Sequence, residues 1–367
     1  MSDITLTLPP IGFGTYALRG RSGADAVTSA IRNGYRLIDS AFSYENEASV
    51  ADGVVRAVDE GTAARIASAL GVTPRFLSHE FRMRGAIAAD AHMRRRRTAK
   101  PADWKRVEAE VNELRMHSTF LLDRVPLRPT NQVLHLDPDE TGPDEAARMQ
   151  RAAWRMPIGP VRDLTAWIES AGVIVVENDF GTPRIDGMSQ WAGDHAIILV
   201  NVEAPTDRRR LTLAHELGHL VMHCGYQDED VEAQANAFAA EFLMPAHVIR
   251  PRLRVVDLGK LLALKREWGV SMQALMERAH DLGVAGERER TAFYKQMSRR
   301  GWRKNEPGSA DLPPERPRLA GSIGRSLQDA GLSDSEIRSL IGVDEIKPSP
   351  FLAPRRGLRL VSDRGGR

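Results

Sequence analysis

The sequence predicts an α+β fold in which a small sheet is flanked by helices. Two short runs rich in β-branched residues, VIVVE at 173–177 and AIILVN at 196–201, are bounded by Gly, Asp and Asn and are predicted to form buried strands. On both sides of these runs, apolar residues recur at the period of a helix, and no internal repeat is present. Strands grouped in one stretch, with helices before and after, are typical of the α+β class.

Composition narrows the class of protein. The chain has 367 residues, of which 42% are hydrophobic and 27% are charged, as is ordinary for a soluble globular protein with two or three domains. The net charge of +2 does not indicate a nucleic-acid partner. The single cysteine, together with the lack of a signal-peptide pattern and of an 18-residue apolar run, leads us to expect a cytoplasmic protein with no membrane-spanning segment.

The N-terminal hundred residues are predicted to hold short elements followed by a linker. Residues 11–60 alternate strand, helix, strand and helix, with the first helix at Ala24–Asn33. Residues 62–79 contain a helix, a turn at GVTP and the start of a second helix. The polar stretch that includes MRRRR at 93–97 is interpreted as a linker.

Longer helices dominate the rest of the chain. One helix is predicted to begin near Thr206–Asp207, and a second ends at Pro245 because proline does not continue a helix. Proline and charged residues between 307 and 317 indicate another linker, which one helical pattern, SDSEIRSLIG, and a tail follow. Further helices are predicted at Trp104–Leu122, at Pro143–Trp154, over 157–172 and twice within 256–286. We therefore divide the chain into segments 1–60, 61–100, 101–300 and 301–367.

The stretch RLTLAHELGHLVMH, Arg210 to His223, combines an amphipathic helix with a metal-binding pattern. Its leucines recur at helical spacing and form one apolar face. His215 and His219 lie off that face, one helical turn apart, so that both imidazoles can bind one zinc ion. Glu216 projects beside the same position and can take a proton from a water molecule there.

A catalytic zinc site needs a third protein ligand and one open position. The next helix, EAQANAF, offers Glu232 as that ligand. Asn236 lies one turn further along and faces the same way, so its amide can orient His215 through the second ring nitrogen.

Three other side chains compete for the role of third ligand. His223 lies one turn beyond His219, which carries it about 5 Å further along a straight helix and outside a shared tetrahedral site. Glu241 likewise lies too far along its helix from Glu232 to share a tetrahedral site with it. Cys224 is a soft ligand at the end of the first helix, and a lone thiol at that position is more often incidental.

These two helices resemble those of a known enzyme family. DRRRLTLAHELGHLVMH and EAQANAFAAEFLMP are similar to the paired motifs of the ImmA/IrrE zinc metallopeptidases, and the resemblance extends over roughly residues 80–310. It implies a zincin-like domain with a small mixed sheet, an HExxH helix and mostly helical flanking segments. In that family two His and one Glu bind zinc, which here implies His215, His219 and Glu232, with Glu216 as the base. The resemblance also implies that the substrate is a helix-turn-helix transcriptional repressor.

Residues 11–56 resemble a different family. IGFGTYALRG and GYRLIDSAFSYENE are similar to the start of aldo-keto reductases, and Asp39 and Tyr44 fall where that family has two catalytic residues. Its (β/α)₈ barrel needs at least about 200 residues, so a quarter of a barrel cannot close around a cofactor. We therefore expect no reductase chemistry from this fragment.

ARIASALGVTPRFLSHEF resembles part of a Cro/repressor-type helix-turn-helix domain, either its last helix or its turn and recognition helix. The rest of that helical bundle is missing, which argues against sequence-specific DNA binding because a recognition helix must be held rigidly.

The sequence leaves two functions open. One is an active zinc endopeptidase, for which AIILVN is a candidate edge strand that aligns substrate and Tyr226 a candidate oxyanion partner. The alternative is a non-catalytic regulatory module that binds DNA or a protein partner. A pure binding module does not need Glu216, so the intact motif favours the peptidase.

Overall fold

The computed structural model describes residues 12–35, 37–41, 44–57, 60–79, 81, 100–223 and 230–352. The arginine run at 93–97, Cys224, Tyr226 and the tail after 352 lie outside the described residues. The chain divides into two compact units, the first formed by Met1–Arg82 with Ser333–Ser349 and the second by Met83–Leu332 with Pro350–Arg367. No helix among the described residues is both long and apolar enough to cross a membrane.

The first unit begins with the predicted alternation of strands and helices. Its two strands are parallel and only two residues long, and they pair Phe13 with Ile38 and Gly14 with Asp39. The order strand, helix, strand, helix is thereby confirmed for residues 11–60. The elements are β1 Phe13–Gly14, α1 Gly20–Arg32, β2 Ile38–Asp39, α2 Glu47–Ala57, α3 Glu60–Leu70 and α4 Pro74–Leu77.

The second unit holds a three-stranded sheet with helices before and after it, which confirms the α+β class. Its elements are α5 Pro101–Leu122, α6 Pro143–Ala153, α7 Leu164–Ser170, β3 Ile174–Asn178, β4 Gly187–Ala192, β5 His195–Asn201, α8 Thr206–Met222, α9 Val231–Leu243, α10 Ala246–Ile249, a 3₁₀ turn at Arg250–Leu253, α11 Leu258–Trp268, α12 Met272–Asp281, α13 Glu287–Arg299 and α14 Leu319–Asp329.

The chain then returns to the first unit with helix α15, Asp334–Ile341. The residues after α15 pair with the turn between α3 and α4 through two reciprocal hydrogen bonds. The Thr73 amide donates to the Gly342 carbonyl, and the Asp344 amide donates to the Gly71 carbonyl, each over 3.0 Å. Helix α4, the second helix of the stretch that resembles part of a helix-turn-helix domain, is four residues long, too short for a recognition helix that spans the major groove.

The sheet has the order β3–β5–β4, with β3 parallel and β4 antiparallel to β5. The expectation that AIILVN is an edge strand is wrong, because β5 pairs with a strand on each side. Ala196, Ile198 and Val200 of β5 face the main apolar core, where the leucines of α8 and the phenylalanines of α9 also lie. The core therefore packs helix α8 directly against the sheet.

Strand β4 is not predicted from the sequence. Met188, Gln190 and Ala192 are buried and alternate with partly buried residues, as in a strand that separates two environments. Because Gln190, one of the buried residues, is polar, the hydrophobicity of the sequence does not show this alternation.

The helix predicted over 157–172 is shorter than expected. Asp163 has a φ of +48°, and its carboxylate accepts a hydrogen bond from the Ala166 amide, so α7 begins only at Leu164. Gly172, with a φ of +79°, follows its end as predicted.

Within the second unit, ion pairs hold the proline-rich segment at 307–317 and its neighbour Glu306 against helices α8 and α11. The ammonium group of Lys265 on α11 lies 2.9 Å from the carboxylate of Glu306 and 2.6 Å from that of Asp207 on α8. Glu315 forms an ion pair with Arg210, which is also on α8. These ion pairs fix the segment beside the first half of the metal-binding helix.

Candidate metal centre

Three predicted ligand side chains converge at the interface of α8 and α9. The Nε2 atoms of His215 and His219 lie 3.1 Å apart. The Glu232 carboxylate places Oε1 at 3.3 Å from the Nε2 atom of His219 and Oε2 at 3.6 Å from that of His215. Among the described residues, this is the group of three His, Cys, Asp or Glu side chains whose ligand atoms all lie within 4.8 Å of one another.

These distances match those around a tetrahedral ion. Ligand atoms about 2.0–2.2 Å from zinc are roughly 3.3–3.6 Å apart when the ion is tetrahedral. Two imidazole nitrogens and one carboxylate are also the donor set of catalytic zinc sites, in which the fourth position stays open. The three residues therefore fit a bound metal ion by both spacing and chemistry.

The close approach of α8 and α9 depends on a glycine between the two histidines. A Cβ atom on Gly218 would lie only 3.0 Å from the ring of Phe238 on α9. Phe238 is fully buried in the main core. A small residue at this position lets α9 cross near enough for Glu232, in its first turn, to meet both histidines.

The outer nitrogen of His215 has an amide partner. Its Nδ1 atom lies 3.2 Å from the Oδ1 atom of Asn236. A neutral imidazole that presents Nε2 to a metal carries its proton on Nδ1, and that proton is directed at the Asn236 oxygen.

The competing ligands lie elsewhere. Glu241 is buried and forms an ion pair with Arg278, and its carboxylate also accepts a hydrogen bond from the Ala246 amide. His223 contacts His219 from the side opposite the ligand atoms, with 2.9 Å between the two Nδ1 atoms. Neither side chain joins the convergent group.

Glu216 is buried beside the ligands and hydrogen-bonded to the sheet. The Ser189 hydroxyl on β4 donates to its Oε2 atom over 2.7 Å. Burial raises the pKa of the Glu216 carboxyl to about 8, while the Ser189 hydrogen bond opposes this shift. Ser189 has no counterpart in the sequence prediction, because it lies on the strand that the sequence did not reveal.

A cavity of about 890 Å³ opens onto His215 and Glu216. Small and apolar side chains of α8, α9 and α12 line it together with charged side chains. Asp186, just before β4, and Gly187, the first residue of β4, also line it. The space is large enough for several side chains of a polypeptide.

The reductase-like residues form no comparable site. Asp39 is exposed, and the Tyr44 ring packs edge-to-face against Tyr16 with 5.2 Å between ring centroids. With two strands of two residues each in the described part of this unit, no barrel encloses them.

A helix carrying two histidines one turn apart, packed on a small mixed sheet and completed by a glutamate from the next helix, defines a metallopeptidase type of domain. Residues 168–280 match the model of the Peptidase_M78 family, described as the IrrE N-terminal-like domain. The matched segment contains the proposed ligands His215, His219 and Glu232 and also Glu216.

The N-terminal fragment is similar to reductases. It is 48% identical over 58 residues to the NAD(P)H-dependent D-xylose reductase of Candida tenuis. These 58 residues are 16% of this chain and 18% of the reductase. The fragment is 49% identical over 47 residues to the morphine 6-dehydrogenase of Pseudomonas putida, covering 13% of this chain and 16% of the dehydrogenase. The chain thus spans less than a fifth of the length of these relatives, and the predicted resemblance to the start of aldo-keto reductases is confirmed.

Among solved structures, a Mycobacterium tuberculosis transcriptional regulator aligns with a TM-score of 0.29 and 17% identity, over 45% of this chain and 51% of the regulator.

Proposed function

We propose that the protein is a zinc-dependent endopeptidase that cleaves a helix-turn-helix transcriptional repressor. His215, His219 and Glu232 bind the metal, and Glu216 is the general base. The observation that carries the proposal is the convergence of two Nε2 atoms and a carboxylate within 3.1–3.6 Å of one another, beside a buried glutamate.

The chemistry follows from the neighbouring groups. When bound, zinc supplies a Lewis acid that polarises a peptide carbonyl and lowers the pKa of a water molecule. Glu216 accepts the proton of the attacking water at one carboxylate oxygen and returns it to the leaving amine nitrogen. The hydrogen bond from Ser189 restrains this carboxylate, so that the proton acceptor keeps one orientation.

Substrate alignment is assigned to strand β4. Among the described strands, β4 pairs with β5 on one side only, which leaves its other edge for an extended peptide. Ser189, which restrains the base, lies on the same strand. A substrate strand added at this edge would run past Glu216 and into the adjoining cavity.

The alternative is a regulatory module that binds without cleaving. Burial of a carboxylate is unfavourable unless its interactions compensate, and a binding module gains nothing from a buried glutamate at this position. Glu216 and its hydrogen bond to Ser189 therefore favour the peptidase.

The test uses the full chain, a repressor encoded beside its gene and two matched variants. We expect about one zinc per chain and cleavage by the wild type. Glu216→Gln should retain the metal and lose at least about a hundredfold in cleavage rate, since general bases contribute about 10²–10⁴-fold. Glu203→Gln, at an exposed glutamate, is the control and should cleave normally.

Equal cleavage by zinc-loaded Glu216→Gln and wild type would contradict the proposed mechanism. Zinc binding together with repressor binding but no cleavage by the wild type would favour the regulatory module.

A further inference from the structure

His223 is a buried histidine that the proposed metal centre does not use as a ligand. It is 1% exposed and directly follows α8. Its Nδ1 atom lies 2.9 Å from Nδ1 of His219, and its Nε2 atom lies 2.8 Å from Oε1 of Gln234 on α9. Three side chains thus form a continuous line of hydrogen-bond distances that begins at a proposed metal ligand.

One arrangement of protons satisfies this line when His219 binds a metal. A neutral His219 that coordinates through Nε2 carries its proton on Nδ1 and donates it to Nδ1 of His223. Nδ1 of His223 must then be an acceptor, so the His223 proton sits on Nε2. From there it is donated to the Gln234 carbonyl oxygen, which can only accept.

We propose that His223 is a positioning residue, which fixes the tautomer and ring orientation of His219 while Gln234 fixes His223. This inference rests on the metal site of the proposed function. The rings of His219 and His223 are tilted by 56° with centroids 5.0 Å apart, so they are not stacked, and their Nδ1 atoms lie at hydrogen-bonding distance.

With this assignment, three side chains of helix α9 serve the proposed metal site. Asn236 lies within hydrogen-bonding distance of the outer nitrogen of His215, and Gln234 reaches the outer nitrogen of His219 through His223. Glu232, two residues before Gln234, is the third ligand. One short helix therefore supplies the carboxylate and terminates the hydrogen bonds of both imidazoles.

A purely structural role does not account for the imidazole. The backbone amide of His223 donates to the His219 carbonyl over 2.9 Å, and any non-proline residue preserves that bond. The side chain adds two directed hydrogen bonds in a buried setting, where the loss of a partner is unfavourable.

The test measures zinc affinity of the full chain by competition with a chromophoric chelator. His223→Leu should weaken zinc binding about 10- to 100-fold, as loss of a group that orients a metal-bound imidazole does. His223→Asn should restore most of the affinity, because its Oδ1 occupies the place of Nδ1 and accepts the same proton. His247→Leu, at an exposed histidine, is the matched control and should bind zinc like the wild type.

A second readout reports the tautomer directly. Long-range ¹H–¹⁵N spectra of the zinc-loaded wild type should show His223 protonated at Nε2 and His219 at Nδ1. Near-ultraviolet circular dichroism of the metal-free variants checks that their folds are unchanged. If His223→Leu does not fold, Gln234→Leu replaces it and should weaken zinc binding in the same direction.

Zinc affinity of a folded His223→Leu or Gln234→Leu chain within twofold of the wild type would overturn the inference, as would a His223 proton on Nδ1. Absence of zinc binding by the wild type would overturn both this inference and the proposed function. Zinc binding that depends on His223 in a chain that cleaves nothing would uphold the inference while the peptidase proposal fails.

Discussion

The hydroxyl of Ser189 donates a 2.7 Å hydrogen bond to the carboxylate of Glu216 and thereby joins strand β4 to helix α8 at the proposed base. Ser189 lies on the sheet and Glu216 lies on helix α8, where the two elements face each other. The base is thus oriented by the same strand that is assigned to align the substrate.

Ser189→Ala should lower kcat by roughly ten- to a hundredfold, because hydrogen bonds to charged groups contribute about 1.5–3 kcal/mol. Zinc affinity should stay unchanged, since Ser189 contacts no proposed ligand. Steady-state cleavage assays check this, with Ser298→Ala, at an exposed serine of α13, as the control. An unaltered kcat in Ser189→Ala would remove Ser189 from the mechanism.

Zinc should stabilise the wild-type fold. A metal that binds only the folded state adds about 4 kcal/mol when its concentration is 1,000 times Kd, so the unfolding temperature should rise on addition of zinc to metal-free chain. Glu232→Ala should abolish this rise, whereas Glu203→Ala should not. Calorimetry measures both, and an equal rise in Glu232→Ala would show that Glu232 is not a ligand.

Gly187 should tolerate no side chain. A Cβ atom there would lie 2.5 Å from Cγ2 of Thr212, whose hydroxyl is held by the Arg208 carbonyl over 3.1 Å. Gly187→Ala should therefore lower the free energy of unfolding by about 1–3 kcal/mol. Adding Thr212→Ser, which removes Cγ2, should recover part of the loss in urea denaturation. No recovery in the double variant would place the strain elsewhere.

Lys265 should be critical for stability. It is 0% exposed and neutralises the buried carboxylates of Asp207 and Glu306. Lys265→Met leaves both carboxylates without that charge, and loss of one partner from a buried ion pair typically costs about 3–5 kcal/mol. The exposed pair Arg252–Glu267 is the control, and Arg252→Met should change the free energy of unfolding by less than about 1 kcal/mol. Similar losses in the two variants would contradict this account.

Local patterns were sufficient for the helices and for choosing the candidate ligands. Histidines four residues apart share a helix face in any α-helix, and so do Glu232 and Asn236. This spacing places the candidate ligands of each helix on one face, and in the structure the ligand atoms of α8 and α9 converge.

Other features depend on contacts between distant parts of the chain. The end of the predicted helix over 157–172 was correct, but its start was not, because the Asp163 carboxylate caps the helix from outside the hydrophobic pattern. AIILVN reads as a strand, but its neighbours in the sheet decide whether it lies at an edge.

The sequence by itself determined the α+β class, helix α8 and the choice of candidate ligands, because helical periodicity acts over a few residues. Only the tertiary structure decided that Ser189 restrains Glu216 and that His223 meets both His219 and Gln234. These contacts bring a strand and two helices together through packing of a shared core. Spacing along one element contains no information about which side chains of another element lie across from it.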